Sequence, residues 1–203
     1  MSASLPFTPP CRPRPAKRLP SGDAWLHEPK LDGWRLQAVK HGKEIALFSR
    51  HGREFTQRFP GIAEAIAKLP CRSATLDGEL VLAAEGRVNF YGLRSAGRSD
   101  DVSFWAFDLL EQDGKDLREL PLTARKGCLN KPMVRSKDPA LGLVPSFDDG
   151  EALLIACMES GVEGVVSKKR DAPYRSGSRP EWVKVTSPGW RAANQDRGEM
   201  FRR

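Results

Sequence analysis

Apolar and polar residues alternate along much of the chain, and the period of the alternation changes at definite points. Trp25–Pro29 and Trp34–Lys40 alternate as two half-buried strands do. Leu31-Asp32-Gly33 between them is turn chemistry, with Gly33 free to take φ > 0. The pattern predicts a hairpin with Lys30 at the lip of a sheet. Lys40-His41-Gly42-Lys43 reads as a second turn, Glu44–Arg50 as a third strand, and Ser49-Arg50-His51-Gly52 as the glycine turn that closes it. Ile62, Ile66 and Leu69 then recur at helical intervals, with Pro60 near the start and Pro70 after the end, which predicts a short amphipathic helix over Phe59–Leu69.

Strand patterns return in Ala74–Ala83, interrupted by Asp77-Gly78-Glu79. Ala84–Arg87 turns the chain back into Val88–Phe90. The run VSFWAFDLL is almost continuously apolar and ends in the turn Glu111–Gly114. Thr123–Met133 has a helical look, but Gly127 and Pro132 make it a poor helix. Asp148 is placed to cap a helix over Gly150–Ser160, and Gly161 to end it. Val162–Lys168, carrying Glu163, and Glu181–Val185, carrying Lys184, are the last strands predicted. Hairpins with a few interposed helices predict an α+β fold built on mainly antiparallel sheets, and no internal repeat is evident.

The chain has 203 residues, enough for one large domain or two small ones. With 39% hydrophobic and 29% charged residues it can build a core, and no apolar run approaches the length needed to cross a bilayer. The opening MSASLPFTPPCRPRPAKRLP lacks a signal-peptide apolar segment and is rich in Pro and Arg. Residues 1–22 are therefore expected to form an extended or poorly ordered arm, and the protein to be cytoplasmic with no membrane partner. The four cysteines (Cys11, Cys71, Cys128, Cys157) show no C-x-x-C spacing, so neither structural zinc nor a disulfide framework is expected. A net charge of +7 and a pI near 9.4 suit a polyanionic partner such as nucleic acid. The cations gather in the arm, around Arg50–Arg58, at Lys168–Arg179 and at the C-terminus.

Lys30 stands in Lys-x-Asp-Gly. A lysine amine becomes a nucleophile when desolvation or a neighbouring cation lowers its pKa. Taken alone, the tetrapeptide fits an ordinary surface hairpin as well as a reactive one. It is the first of an ordered set, KLDGWR, SRHG, LDGELV, FWAFDLL, EGVVSKK and WVKV. With that order the chain resembles, from about Asp23 to Trp190, the catalytic adenylation domain of ATP-dependent DNA ligases within the covalent nucleotidyltransferase superfamily. EGVVSKKRDAPYRSGSRPEWVKV looks like the ligase domain of bacterial end-joining enzymes. The resemblance implies a covalent nucleotidyltransferase (ATP-grasp-like) fold over residues 23–188, with 189–203 as a basic tail. It also implies an enzyme that forms lysyl-AMP from ATP with Mg²⁺ or Mn²⁺ and passes the AMP to the 5′-phosphate of nicked DNA.

The same resemblance implies roles residue by residue. Lys30 is the nucleophile, and Lys184 is a second cation able to lower its pKa and neutralise phosphate. Arg35 and Arg50 contact ribose and phosphate, where the guanidinium fork holds two oxygens at once. Glu79 and Glu163 stand near the metal, which takes few carboxylates and keeps waters and substrate phosphates; Glu79 is also a candidate ribose contact. Glu28 occupies the adenine-contacting position through its backbone, and Phe107 stacks on the base. Asp32 shapes the loop after Lys30 or orients the amine. Each has a plainer reading in isolation, as a strand-end acid, a surface arginine or a core phenylalanine.

Two features depart from that pattern. Thr186 stands where a second lysine is usual, which is expected to weaken phosphate binding or slow one step. Only SPGWRAANQDRGEMFRR follows WVKV, where an oligonucleotide-binding barrel is expected. A truncated chain, a stand-alone nucleotidyltransferase with reduced DNA grip and one half of a split ligase all fit, and a separate DNA-binding protein or domain is the expected partner. The tail could dock as a helix anchored by Trp190. An RNA ligase or GTP-using capping enzyme, and a non-catalytic nucleotide- or DNA-binding module, are the alternatives to a DNA ligase.

Overall fold

The segment Lys30–Gly33 carries the chain from one β-sheet to another. This computed structural model describes residues 5–84, 87–89, 102–187 and 189–190. Its strands are β1 (Cys11–Pro15), β2 (Trp25–Pro29), β3 (Trp34–His41), β4 (Glu44–Ser49), β5 (Ser73–Ala84), β6 (Arg87–Asn89), β7 (Val102–Gln112), β8 (Lys115–Asp116), β9 (Leu141–Leu143), β10 (Gly164–Lys169) and β11 (Gly177–Thr186). Its helices are α1 (Pro60–Ala67), α2 (Leu122–Ser136) and α3 (Gly150–Glu159). One sheet runs β1-β11-β10-β2. The other runs β4-β3-β5-β7-β8, with β6 beside β5 and β9 beside β7. Pairing is antiparallel except for β1 with β11 and β7 with β9, so the class is α+β as the pattern predicts.

The expected Lys30 hairpin is not formed. β2 pairs with β10, while β3 pairs with β4 and β5, so the two flanks belong to different sheets. Gly33 is not a positive-φ residue. Glycine is needed there because a Cβ would lie 2.2 Å from the Leu80 carbonyl oxygen, where the crossover presses against β5.

β7 explains its own apolar run. Val102, Phe104, Ala106 and Leu109 join the main core with Leu36, Leu76 and Leu80 of the same sheet, Ile62 and Ile66 of α1, and Leu129 and Met133 of α2. Phe107 and Leu110 face the other way, into a second core with Cys11, Val144, Tyr174 and Trp182. A strand buried on both faces has no polar side to alternate with.

Within the expected N-terminal arm, residues 5–22 are extended in part, as β1, and packed onto the domain rather than loose. Cys11 is buried in the second core, and the Thr8 backbone exchanges two hydrogen bonds with the Gln37 side chain, at 2.8 and 2.9 Å. Pro13 and Pro15 are tolerated because β1 is an edge strand. The poor helix is likewise a full one, Leu122–Ser136, with Gly127 and Pro132 inside it. An interior proline costs about 3 kcal/mol. Burying Leu122, Leu129 and Met133 returns about 1.5–3 kcal/mol each. Arg125 adds a fully buried fork onto Asp108, at 2.8 and 2.9 Å. The cap of α3 is Asp149, whose Oδ1 accepts from Ala152 N–H at 2.9 Å, while Asp148 pairs with Arg170 instead. Gly161 ends α3 at φ 68°, as expected. Residues 191–203, including the expected tail helix, lie outside the described residues. Among the described residues no helix is long and apolar enough to cross a membrane.

Candidate active site

The two sheets enclose a cleft of about 220 Å³. Glu28, Lys30, Arg35, Arg50, Glu79, Phe107 and Lys184 all line it. Glu163 reaches the same place, because its carboxylate holds the Lys30 amine in an ion pair. The residues expected to bind nucleotide or metal are therefore brought to one cleft, while Asp32 and Thr186 are not among its lining residues. Sheet register accounts for part of this: Glu28, Val166 and Lys184 are Cα partners in one row across β2, β10 and β11. Trp182 and Lys168 form the next row, so alternation along β10 and β11 sends two residues of each strand into the cleft.

The opposite wall comes from β3, β5 and β7. In Asp77-Gly78-Glu79 the two acids face the cleft side and the glycine faces the core. A Cβ on Gly78 would lie 2.5 Å from the Phe104 ring, so the motif reads as two carboxylates separated by the only residue the core can fit. Arg35 is the Cα partner of Glu79, yet its fork closes on Asp77: Nε to Oδ1 at 2.5 Å and Nη2 to Oδ2 at 2.6 Å. Its guanidinium lies 4.5 Å from the Phe107 ring centroid. Burial would lower the Arg35 pKa, but the Asp77 charge and hydrogen bonds more than offset this and hold it protonated.

Glu79 is the most displaced acid of the cleft. Burial pushes its pKa up to about 7; Arg35 and Lys30 pull it down, while Asp77 and Glu163 add to the rise. Its carboxyl is therefore divided between protonated and ionised forms near neutrality. Glu28 moves the other way. Burial favours its neutral form, but Lys126 and Lys168 outweigh that and keep its pKa below the usual range. Lys168 Nζ forms an ion pair with Glu28 Oε2 at 2.6 Å and stands over the Phe107 and Trp182 rings at 4.2 and 4.0 Å. Burial lowers the Lys168 pKa, with Glu28 opposing.

Several cleft residues were not anticipated. Lys168 and Trp182 were findable, since each lies two positions along a strand from a residue facing the cleft. Lys126 was hidden by reading α2 as broken. Pro10, Arg12 and Pro13 line the cleft from the segment expected to be an extended or poorly ordered arm. Tyr174, whose hydroxyl donates to Asp77 Oδ2 at 2.6 Å, left no sequence pattern to find it by. Among the described residues no three His, Cys, Asp or Glu side chains cluster as a ready-made metal cage, and all four cysteines are free.

Residues 14–186 match the model of the ATP dependent DNA ligase domain family. The multifunctional non-homologous end joining protein LigD of Pseudomonas aeruginosa is 35% identical over 171 residues, which is 82% of this chain and 20% of that protein. A probable DNA ligase of Beutenbergia cavernae is 36% identical over 187 residues, 83% of this chain and 35% of that one. The chain thus spans between a fifth and about a third of the length of these relatives. Among solved structures, mycobacterial DNA ligase D complexed with ATP and MES superimposes with a TM-score of 0.73 at 30% identity, over 87% of this chain and 59% of that one. The ligase domain of Mycobacterium tuberculosis LigD gives 0.71 at 29% identity, over 87% and 60%.

Proposed function

We propose that this chain, which belongs to the ATP dependent DNA ligase domain family, works as an adenylating enzyme with Lys30 as its nucleophile. The observation that carries the reading is the convergence of Lys30, Arg35, Arg50, Glu79, Phe107 and Lys184 on one cleft, with Glu163 on the Lys30 amine. In this reading Lys30 Nζ bonds to the α-phosphorus of ATP as the bond to pyrophosphate breaks. The amine proton is lost in the process. A 5′-phosphate oxygen at a DNA nick then displaces the lysine, and the adjacent 3′-hydroxyl displaces AMP. Every step moves negative charge around phosphorus, so positioning and fixed positive charge supply most of the acceleration.

The ground state places the amine in an ion pair with Glu163, and an ammonium has no lone pair to donate. The amine must therefore give up a proton, to Glu163 or to water, before it attacks, and drawing the Glu163 charge away favours that loss. Glu79 and Glu163 fit a divalent cation: burial first, and then the neighbouring Asp77 and Glu163 carboxylates, raise the Glu79 pKa, and a bound cation would relieve that crowding of negative charge. Mg²⁺ or Mn²⁺ held there with the phosphates would supply charge neutralisation at the α-phosphate. Phe107 lines the cleft where the base would lie, and Lys168, ion-paired with Glu28 and held over the Phe107 ring and the buried Trp182 ring, faces the same space. Arg12 and Arg50, both exposed on the cleft wall, suit the outer phosphates or the DNA strand.

Nicked DNA in the cytoplasm is the proposed substrate. A further DNA-binding domain or protein is the proposed partner, supported by the small share of each relative that the chain spans. Incubation with α-labelled ATP and a divalent metal should leave label on the protein, and Lys30→Ala should abolish it. A folded wild-type protein that takes no label would overturn the reading. Competition by GTP and by nicked RNA separates this activity from capping or RNA ligation.

A further inference from the structure

We propose that Tyr174 is a positioning residue for the nucleotide site, holding Arg35 in place through Asp77, and that β1 closes the arrangement. The inference rests on the reading of Arg35 as a nucleotide contact. Four hydrogen bonds form a closed circuit through four separate parts of the chain. Cys11 N–H of β1 donates to the Tyr174 hydroxyl at 2.9 Å. That hydroxyl donates to Asp77 Oδ2 at 2.6 Å. Arg35 Nη2 donates to the same Oδ2 at 2.6 Å and to the Cys11 carbonyl at 3.2 Å, which returns the circuit to β1.

Each member limits the freedom of the next. A carboxylate turns easily about its last torsion, which is broad and nearly two-fold. Asp77 is stopped from turning by two donors on one oxygen, and the Arg35 fork is fixed only as well as the carboxylate beneath it. Burial and the Asp77 charge hold the Tyr174 pKa well above its ordinary value, so the hydroxyl keeps the proton it donates. The ring itself is positioned by the cleft. It meets Trp182 edge-on at 6.0 Å, and Trp182 meets Phe107 edge-on at 6.1 Å. A phenylalanine at 174 would therefore keep the packing and lose only the two hydrogen bonds.

This separates positioning from plain structural support, because a residue acting through Arg35 has nothing to act on once Arg35 is gone. The test is ATP binding measured by calorimetry in a Lys30→Ala background, where no covalent product forms. Tyr174→Phe should weaken ATP binding about three- to tenfold, an effect on the scale of one or two lost hydrogen bonds. In an Arg35→Ala background the same change should leave ATP affinity within about twofold. Arg35→Lys serves as a second partner variant should Arg35→Ala fold poorly. Equal fold-losses in both backgrounds, or wild-type affinity for Tyr174→Phe, would overturn the proposal. Failure of the Lys30→Ala protein to bind ATP at all would instead overturn the nucleotide-site reading. Arg35→Ala with unchanged affinity would remove Arg35 from that site.

Discussion

Two arginine–aspartate forks stand side by side in this molecule and do different work. Asp77 of β5 and Asp108 of β7 are Cα partners across one sheet, and like charges so placed repel unless each is neutralised. Asp108 takes Arg125 from α2, and Asp77 takes Arg35 from β3. The first pair is wholly buried. Arg125 Nη1 also donates to the Leu120 and Ala172 carbonyls at 2.6 and 3.0 Å, so the guanidinium is consumed in joining α2 and the loop after β10 to the sheet. The second pair opens onto the cleft, with its guanidinium over Phe107. Chemically equal pairs differ in what surrounds them: under the proposed function the wholly buried Arg125 serves the framework, and Arg35, open to the cleft, serves the nucleotide.

The difference is sharpest under mutation. Arg125→Ala leaves the Asp108 carboxylate buried and unpaired, which should cost about 3–5 kcal/mol of stability, read by denaturant unfolding. Activity should be lost only to the extent that the protein unfolds. Gly78→Ala drives a methyl group into the Phe104 ring and should cost about 1–3 kcal/mol by the same measurement, with the cleft carboxylates still in place. Arg35→Ala should cost less stability than Arg125→Ala while reducing adenylation per folded molecule about a hundredfold. Arg35→Lys should not restore it, because an ammonium cannot make the fork. A larger stability loss for Arg35→Ala than for Arg125→Ala would erase the distinction.

Glu79 gives a pH signature to the functional side. Its folded pKa of about 7 lies above the ordinary 4.5, so the folded state holds more protons than the unfolded chain between those values. Stability from this group is fullest below about pH 4.5 and declines as pH rises through about 7. Glu79→Gln should flatten that decline by about 1–2 kcal/mol between pH 5 and 8, allowing for partial exposure of the carboxyl. It should also remove the rise in adenylation through neutrality that ionisation of the carboxyl brings. The smallest effect belongs to a surface pair: breaking Arg118–Asp116, half-exposed on both sides, should change stability by under about 1 kcal/mol.

The cleft was more legible in the sequence than the framework that builds it. Lys30, Glu79, Phe107, Glu163 and Lys184 sit in short motifs whose order can be read directly. The sheet assignment of β2 and β3 cannot be, because two adjacent strand patterns joined by Leu31-Asp32-Gly33 look the same whether they pair with each other or with partners 42 or 142 residues away (Leu36 with Gly78, Leu26 with Lys168). α2 was misjudged for a related reason. Gly127 and Pro132 act locally, while the Arg125–Asp108 fork and the burial of Leu129 that outweigh them are tertiary. β1 was missed because prolines and arginines usually mark solvent-exposed chain, and here an edge position makes both acceptable.

The central claim is that one amine in this cleft takes up AMP. Peptide mapping by mass spectrometry after incubation with ATP and magnesium tests it most directly. The account predicts one adenylated peptide, spanning Trp25–Arg35 with the modification on Lys30, and discharge of the label as ATP when pyrophosphate is added to the intact protein. Adenylation on any other lysine, or none on a protein shown to be folded, would contradict it.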